Sequence, residues 1–310
     1  MIQTHLIEIN QLDIASLTHL LDRAEYWLHN TVISRQINSL LHGCVVANLF
    51  FEPSTRTQYS FTVAAERLGA IVLNPQLSHS SLVKGESLLD TARTFVAMGA
   101  EILVVRHSAP DIMEELVTYL GERTAIINAG AGSKQHPTQG LLDLLTIRQQ
   151  KTLGPGLAVA VIGDVLHSRV ARSLIDGLCC VGVNDIRVVA PEEWLPSAAD
   201  LAIWQVVQPH AELRSALTGA DVVVALRIQT ERMQAADQVD KIAFYKTYGL
   251  TEQTLRYAKP DAMVLHPGPM IRGVEIASIV ADGQQSYITE QVRCGVAARM
   301  AVLEWCHLPP

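Results

Sequence analysis

Short apolar runs alternate with amphipathic stretches along this chain. Runs of Val, Ile, Leu and Ala predict strands at 44–50, 70–74, 101–106 and 124–128, and again at 157–163, 185–190, 221–226 and 262–266. The runs are continuous rather than alternating, as expected for strands buried on both faces of a parallel sheet. Helical periodicity lies between them, at 55–68, 87–98, 138–150, 168–181 and 197–206, with a last helical pattern at roughly 285–304. This order predicts an α/β protein of two similar-sized domains, each a parallel sheet flanked by helices, with ligand sites at the carboxyl ends of strands. The break at Gly154-Pro155-Gly156 sets the expected boundary: residues 1–150 form the first domain, 151–285 the second, and 286–310 a C-terminal helix that packs back on the first.

Composition narrows the function. Among 310 residues, 49% are hydrophobic and 18% charged, enough for a sizeable core and too apolar for a disordered chain. The net charge of -7 argues against a nucleic-acid binder, and any anionic small molecule must be met by local arginines. Cys44, Cys179, Cys180, Cys294 and Cys306 form no C-x-x-C pair and suit neither zinc nor a disulfide framework. No apolar run reaches ~18 residues, and "MIQTHLIEIN" lacks the form of a signal peptide. A reduced cytoplasm is the expected location, with no membrane contact.

Two strand-to-helix passages carry the strongest chemistry. In "FFEPSTRTQYSF" (50–61), Pro53 keeps Glu52 out of helix and Ser54 stands at an N-cap position, so Thr55, Arg56 and Thr57 occupy a helix's first turn. Outward N–H groups, the helix dipole, hydroxyls and a guanidinium together make a phosphate cradle. A capped helix with a solvated Arg accounts for the stretch equally well. In "NAGAGSKQHPTQGLLDLLTI" (128–147), His136 and Gln139 stand at a helix entrance. His can donate to a developing oxyanion and Gln can accept from an amide NH2. Taken alone, a turn histidine with a capping role is the commoner case.

Further cations sit in strand-end loops. Lys84 lies in the polar loop "SHSSLVKGES" (78–87), and Arg106 ends a strand. Arg169 opens the helix of "VIGDVLHSRVARSL", and Arg227 and Gln229 follow a strand in "ALRIQTERM". In "LHPGPMIRG", Pro267 and Pro269 fix the loop around Gly268. Each Arg or Lys alone is most often solvated. Five such loops in an acidic protein imply a substrate set with several negative charges. The passage at Gly163 has a nucleotide-binding outline but no G-x-G-x-x-G, which disfavours a nicotinamide dehydrogenase.

With these residues in view, the chain resembles the catalytic chains of aspartate carbamoyltransferases, in the aspartate/ornithine carbamoyltransferase superfamily. "STRTQYSF", "KGES", "HPTQGLLDLL", "GDVLHSRVARS", "RIQTERM" and "LHPGPMIRGVEI" run in family order over nearly the whole chain. The resemblance implies a first domain that binds carbamoyl phosphate and a second that binds L-aspartate, in a homotrimer with shared active sites. It implies that Ser54, Thr55, Arg56, Thr57 and Arg106 hold phosphate. Thr57, Arg106 and His136 would contact the carbonyl oxygen, and Gln139 with the backbone at Pro267, Gly268 and Pro269 the carbamoyl NH2. Arg169, Arg227 and Gln229 would clamp the aspartate carboxylates, helped by Lys84. A lid serine, Ser80 or Ser81, would reach a neighbour's site with Lys84. Arg56, Thr57, Lys84, Arg106 and His136 form the expected catalytic set.

Carbamoyl phosphate already carries a good leaving group, so this chemistry requires no metal, cofactor or covalent nucleophile. Two departures stand out: Ala131 replaces a frequent acid before His136, and Ile271 a frequent Asn. The alternatives are another amine acceptor such as ornithine, against which the R-x-Q element and the absence of an H-C-L-P loop argue, or a non-catalytic paralogue. Arg56, Lys84 and His136, which such paralogues tend to lose, are all present. Family relatives assemble with regulatory or dihydroorotase-like chains, and the sequence leaves open whether this one does.

Overall fold

The computed structural model describes residues 5–76, 85–121, 124–132, 134–229 and 240–308. The chain divides into two compact units, one of Met1–Leu145 with Val292–Pro310 and one of Thr146–Gln291. The crossings fall inside two helices, at Leu145–Thr146 and Gln291–Val292.

The first unit runs α1 (Ile14–Trp27), β1 (Val45–Phe50), α2 (Thr55–Arg67), β2 (Ile71–Leu73), α3 (Leu88–Ala97), β3 (Ala100–His107), α4 (Ile112–Leu120), β4 (Ala125–Ala131) and α5 (Pro137–Arg148). Its four strands are all parallel, in the order β2-β1-β3-β4. Every residue of β4 is buried, as are the four inner residues of β1, which is why these strands read as apolar runs interrupted only by the buried Asn48 and Asn128. Ala47, Leu49, Leu103, Val105 and Ile126 of the sheet pack with Ile112, Met113 and Leu116 of α4.

The second unit runs β5 (Ala158–Ile162), α6 (Arg169–Cys180), β6 (Asp185–Val189), α7 (Ala198–Ile203), β7 (Val207–His210), α8 (Leu213–Leu217), β8 (Val222–Ala225), α9 (Lys241–Tyr248), α10 (Glu252–Leu255), β9 (Met263–Leu265) and α11 (Ser278–Ala281). Its five strands are parallel in the order β7-β6-β5-β8-β9. Ala160, Ile162, Val223, Ala225 and Val264 build its core with Leu213, Ala216 and Leu217 of α8. The final helix, α12 (Ile288–His307), belongs to the first unit from Val292 onward. There Glu304 accepts from Arg23 Nε at 2.9 Å and Trp27 Nε1 at 2.7 Å, tying α12 to α1.

The eight expected strands are present, and the fold class is the one the hydrophobic pattern predicts. Three details differ. The four-residue β7 was not foreseen, because Pro209 removes a ladder donor and only Val207 is buried; such a segment is tolerated at a sheet edge. The helix expected at 197–206 stops at Ile203, where Trp204 leaves helical geometry and gives its Nε1–H to Asp176 at 2.6 Å. Helix α5 is not amphipathic: residues 137–147 are all buried, including Thr138, Gln139, Asp143 and Thr146. Among the described residues no helix is long and apolar enough to cross a membrane.

Candidate active site

In the first unit, three strand ends bring the predicted residues together. Strand pairing sets Phe50 of β1 beside Arg106 of β3, and His107 beside Ala131 of β4. The loop after β1 therefore starts next to Arg106, and Phe51 N–H donates to its carbonyl at 2.9 Å. Ser54 occupies the N-cap position of α2, as its sequence context predicts, but its side chain makes no capping hydrogen bond. The helical ladder opens with Gln58 N–H to Ser54 O at 3.0 Å, and the turn before it aims its amides outward along the axis. Thr57 is buried, Ser54 half-buried, and Thr55 and Arg56 exposed. The result is a helix N-terminus with hydroxyls around it and no acidic residue in its first turn, suited to an anion.

Arg106 closes one side of this cradle. Its Nη1 donates to Ala129 O at 3.2 Å and its Nε lies 3.5 Å from Glu52 Oε2, so the guanidinium is held by the loop after β1 and by β4. The turn after β4 is tightly bonded. Asn128 Oδ1 accepts from Gly130 N–H at 2.7 Å, and His107 O accepts from Gly132 N–H at 3.0 Å. Beyond it, His136 is 4% exposed at the mouth of α5, and Pro137 takes the first helical position, where a missing N–H is harmless. Gln139, 7% exposed, gives its side-chain N–H to Asp143 Oδ1 at 3.0 Å. The amide oxygen of Gln139 is left as the acceptor.

The second unit gathers its predicted residues at the ends of β5, β8 and β9. Gly163 turns the chain after β5, and the fully buried Asp164 accepts from His167 N–H at 3.0 Å. Ser168 caps α6 through Ala171 N–H at 3.2 Å, which fixes Arg169, 4% exposed, as the first helical residue. After β8, Arg227 Nη2 lies 3.4 Å from Gln229 Oε1, while Ile228 between them is buried with Trp194, Phe244 and Val274. The alternation points Arg227 and Gln229 to one side and anchors the loop from the other.

The loop after β9 is shaped by two buried residues that the sequence reading did not single out. His266 Nδ1 accepts from Gly268 N–H at 2.9 Å, so Nε2 carries the ring proton and donates to Glu275 Oε1 at 3.0 Å. Glu275 also accepts from Ile271 N–H, and Gln291 accepts from His266 N–H at 2.8 Å. These bonds hold Pro267, Gly268 and Pro269, whose Gly268–Pro269 peptide is cis. Asp143 was passed over as well; its only trace in sequence is its place four residues after Gln139 on a helix. Ser80, Ser81 and Lys84 lie outside the described residues. Among the described residues, the first unit thus carries Ser54, Thr55, Arg56, Thr57, Arg106, His136 and Gln139 at or just beyond its strand ends, and the second carries Arg169, Arg227 and Gln229.

Comparison with known proteins identifies the family of both units. The family described as aspartate/ornithine carbamoyltransferase, carbamoyl-P binding domain, matches residues 4–149, and its Asp/Orn binding domain matches 155–306. An aspartate carbamoyltransferase catalytic subunit of Coxiella burnetii is 48% identical over 300 residues, covering 97% of this chain and 95% of its own length. One from Rhodopseudomonas palustris is 50% identical over 303 residues, covering 97% and 93%. Aspartate transcarbamoylase from Trypanosoma cruzi, solved with carbamoyl aspartate and phosphate, is 30% identical with a TM-score of 0.88 over 97% of this chain and 95% of that one. Two matched domains and near-complete coverage at such identity leave one conclusion: the chain belongs to the aspartate/ornithine carbamoyltransferase family.

Proposed function

We propose that this protein transfers the carbamoyl group of carbamoyl phosphate to the amine of L-aspartate, giving N-carbamoyl-L-aspartate and phosphate, an early step in making pyrimidines. The observation that carries the reading is that the adjoining ends of β1, β3 and β4 lead, respectively, to the α2 N-terminus, to Arg106 and to the turn before His136. The names of the 48–50% identical relatives favour aspartate as acceptor, as do Arg227 and Gln229, which suit carboxylates better than a second amine.

In this reading Ser54, Thr55, Arg56, Thr57 and Arg106 hold the phosphate. Attack by the neutral amine turns the carbonyl oxygen into an oxyanion, to which Thr57, Arg106 and His136 donate. His136 acts as a donor and not as a base; the amine proton leaves to the departing phosphate. Gln139 and the backbone of Pro267, Gly268 and Pro269 take the carbamoyl NH2, and Arg169, Arg227, Gln229 and Lys84 take the aspartate carboxylates. The first unit is then the carbamoyl phosphate domain and the second the aspartate domain. Holding the amine near the carbonyl carbon supplies up to about 7–11 kcal/mol of the rate, and each buried oxyanion donor about 100-fold. The protein works as a homotrimer in the cytoplasm, where Ser81 and Lys84 serve a neighbour's site.

The test is a carbamoyl-transfer assay on the purified chain, with carbamoyl phosphate fixed and L-aspartate or L-ornithine as acceptor. Product with aspartate alone supports the proposal. Product with ornithine overturns the acceptor assignment, and no product with either overturns the activity.

A further inference from the structure

Behind the oxyanion residues of the first unit lies a buried polar group that the reaction does not use directly. Asp143 of α5 is fully buried, and its Oδ1 takes the Gln139 amide N–H at 3.0 Å. Arg299 of α12 is 3% exposed and lies within electrostatic reach of Asp143. Its Nη1 donates to Gly295 O at 2.9 Å, and its guanidinium carbon sits 5.1 Å from the ring centroid of Phe61, on α2. Gly295 is what makes the room. A Cβ there would stand 2.8 Å from Arg299 Nη1 and 3.2 Å from Leu142 Cδ2. One buried cation therefore lies against Phe61 of the helix that follows Ser54 and near the helix that carries Gln139.

A buried carboxylate is strongly unfavourable without polar partners, and the Gln139 amide is one of them. Burial pulls the Arg299 pKa down to about 10, while Asp143 pushes the other way; the guanidinium stays charged at neutral pH. The orientation of Gln139 follows. A side-chain amide can present either its oxygen or its NH2, and in isolation the two differ little. A carboxylate only accepts. With Asp143 on one side, the NH2 must face inward and the oxygen outward.

We propose that Asp143 is a positioning residue for Gln139, locking its amide oxygen toward the carbamoyl NH2 and away from the flipped state that would oppose one NH2 to another. This rests on the carbamoyl-transfer reading above. Asp143 does not touch substrate; it acts through Gln139.

The experiment is a double-mutant cycle on the full chain, read as kcat/KM for carbamoyl phosphate at saturating aspartate. Asp143→Ala and Gln139→Ala are each expected to lose about tenfold or more, the scale of one charge-assisted hydrogen bond. The double variant is expected to match the worse single within about twofold, because the first substitution already removes what the second acts through. Asp143→Asn, whose side-chain oxygen still accepts, is expected to recover part of the loss. It also carries the cycle if Asp143→Ala does not fold.

Losses that multiply would mean that Asp143 merely supports the fold, and the proposal is overturned. Wild-type kcat/KM in both Asp143 variants overturns it too. A Gln139→Ala enzyme as active as wild type removes the residue to be positioned and ends the proposal, while leaving the activity standing. A wild-type chain that does not carbamoylate aspartate ends both.

Discussion

Gly163→Ala tests whether the turn after β5 is as tightly specified as its geometry indicates. Gly163 has φ +110°, a conformation that a side chain rarely tolerates. An added Cβ would stand 2.9 Å from the carbonyl oxygen of Leu226 and 3.3 Å from its Cβ. The backbone cannot easily yield, because Gly163 N–H is bonded to Val189 O at 3.0 Å and Leu226 N–H to Ile162 O at 2.8 Å. Backbone strain of this kind costs about 1–3 kcal/mol. Forcing atoms into a packed contact costs about 1–3 more, so the total is roughly 2–6 kcal/mol. At about 2–4 °C per kcal/mol for a unit of this size, the melting temperature should fall by about 5–20 °C. Scanning calorimetry would measure it, with Gly156→Ala as control. Gly156 has open space around its ideal Cβ and should be neutral or slightly stabilised. The strain also meets Asp164, which shapes the turn leading to Arg169, and Leu226, which precedes Arg227. The aspartate KM should therefore rise more than the carbamoyl phosphate KM. A Gly163→Ala protein that melts within about 1 °C of wild type would refute the steric reasoning.

Three other outcomes follow from the site. His136→Ala should lower kcat about 100-fold, the usual loss for one buried oxyanion donor, while the protein stays folded by calorimetry; a change confined to KM would exclude the donor role. Arg227→Lys gives up the planar fork and should raise the aspartate KM with little effect on carbamoyl phosphate, whereas equal damage to both would contradict the division of labour between the units. His107 bears on acid stability. Burial holds its pKa below the ordinary 6.5, and its Nδ1 accepts from Ala109 N–H at 2.9 Å. The unfolded chain takes up the proton first, so its contribution is full above pH 6.5 and is lost as pH falls through the lower folded value. His107→Asn keeps an acceptor without titrating there, and its melting temperature should decline less between about pH 7 and pH 5 than that of wild type. Equal declines would rule His107 out.

Much of the architecture is local and could be read along the chain. Strands such as β5 and β8 are buried along their whole length, so their residues must be apolar on both faces, and that demand shows in any window of sequence. The strand-to-helix passages at Ser54, His136 and Ser168 were legible for the same reason, because turn chemistry and first-turn residues are neighbours in the chain. Where the local pattern misled, a distant partner had intervened. The helix ending at Ile203 gives way to Trp204, whose indole is bonded to Asp176. β7 exists because β6 offers it an edge.

The sequence by itself determined an α/β chain with two sheets and with cations and hydroxyls at the ends of its strands, since burial periodicity and turn residues act over a few positions. The orientation of those groups was decided only in the tertiary structure. Asp143 looks like one more helix-face acid until packing buries it completely and turns it to the Gln139 amide. His266 and Glu275 read as loop residues until burial obliges them to satisfy each other and the backbone around Gly268. A buried charge or amide must find its partner wherever the chain's packing puts one, and nothing in the neighbouring sequence records that choice.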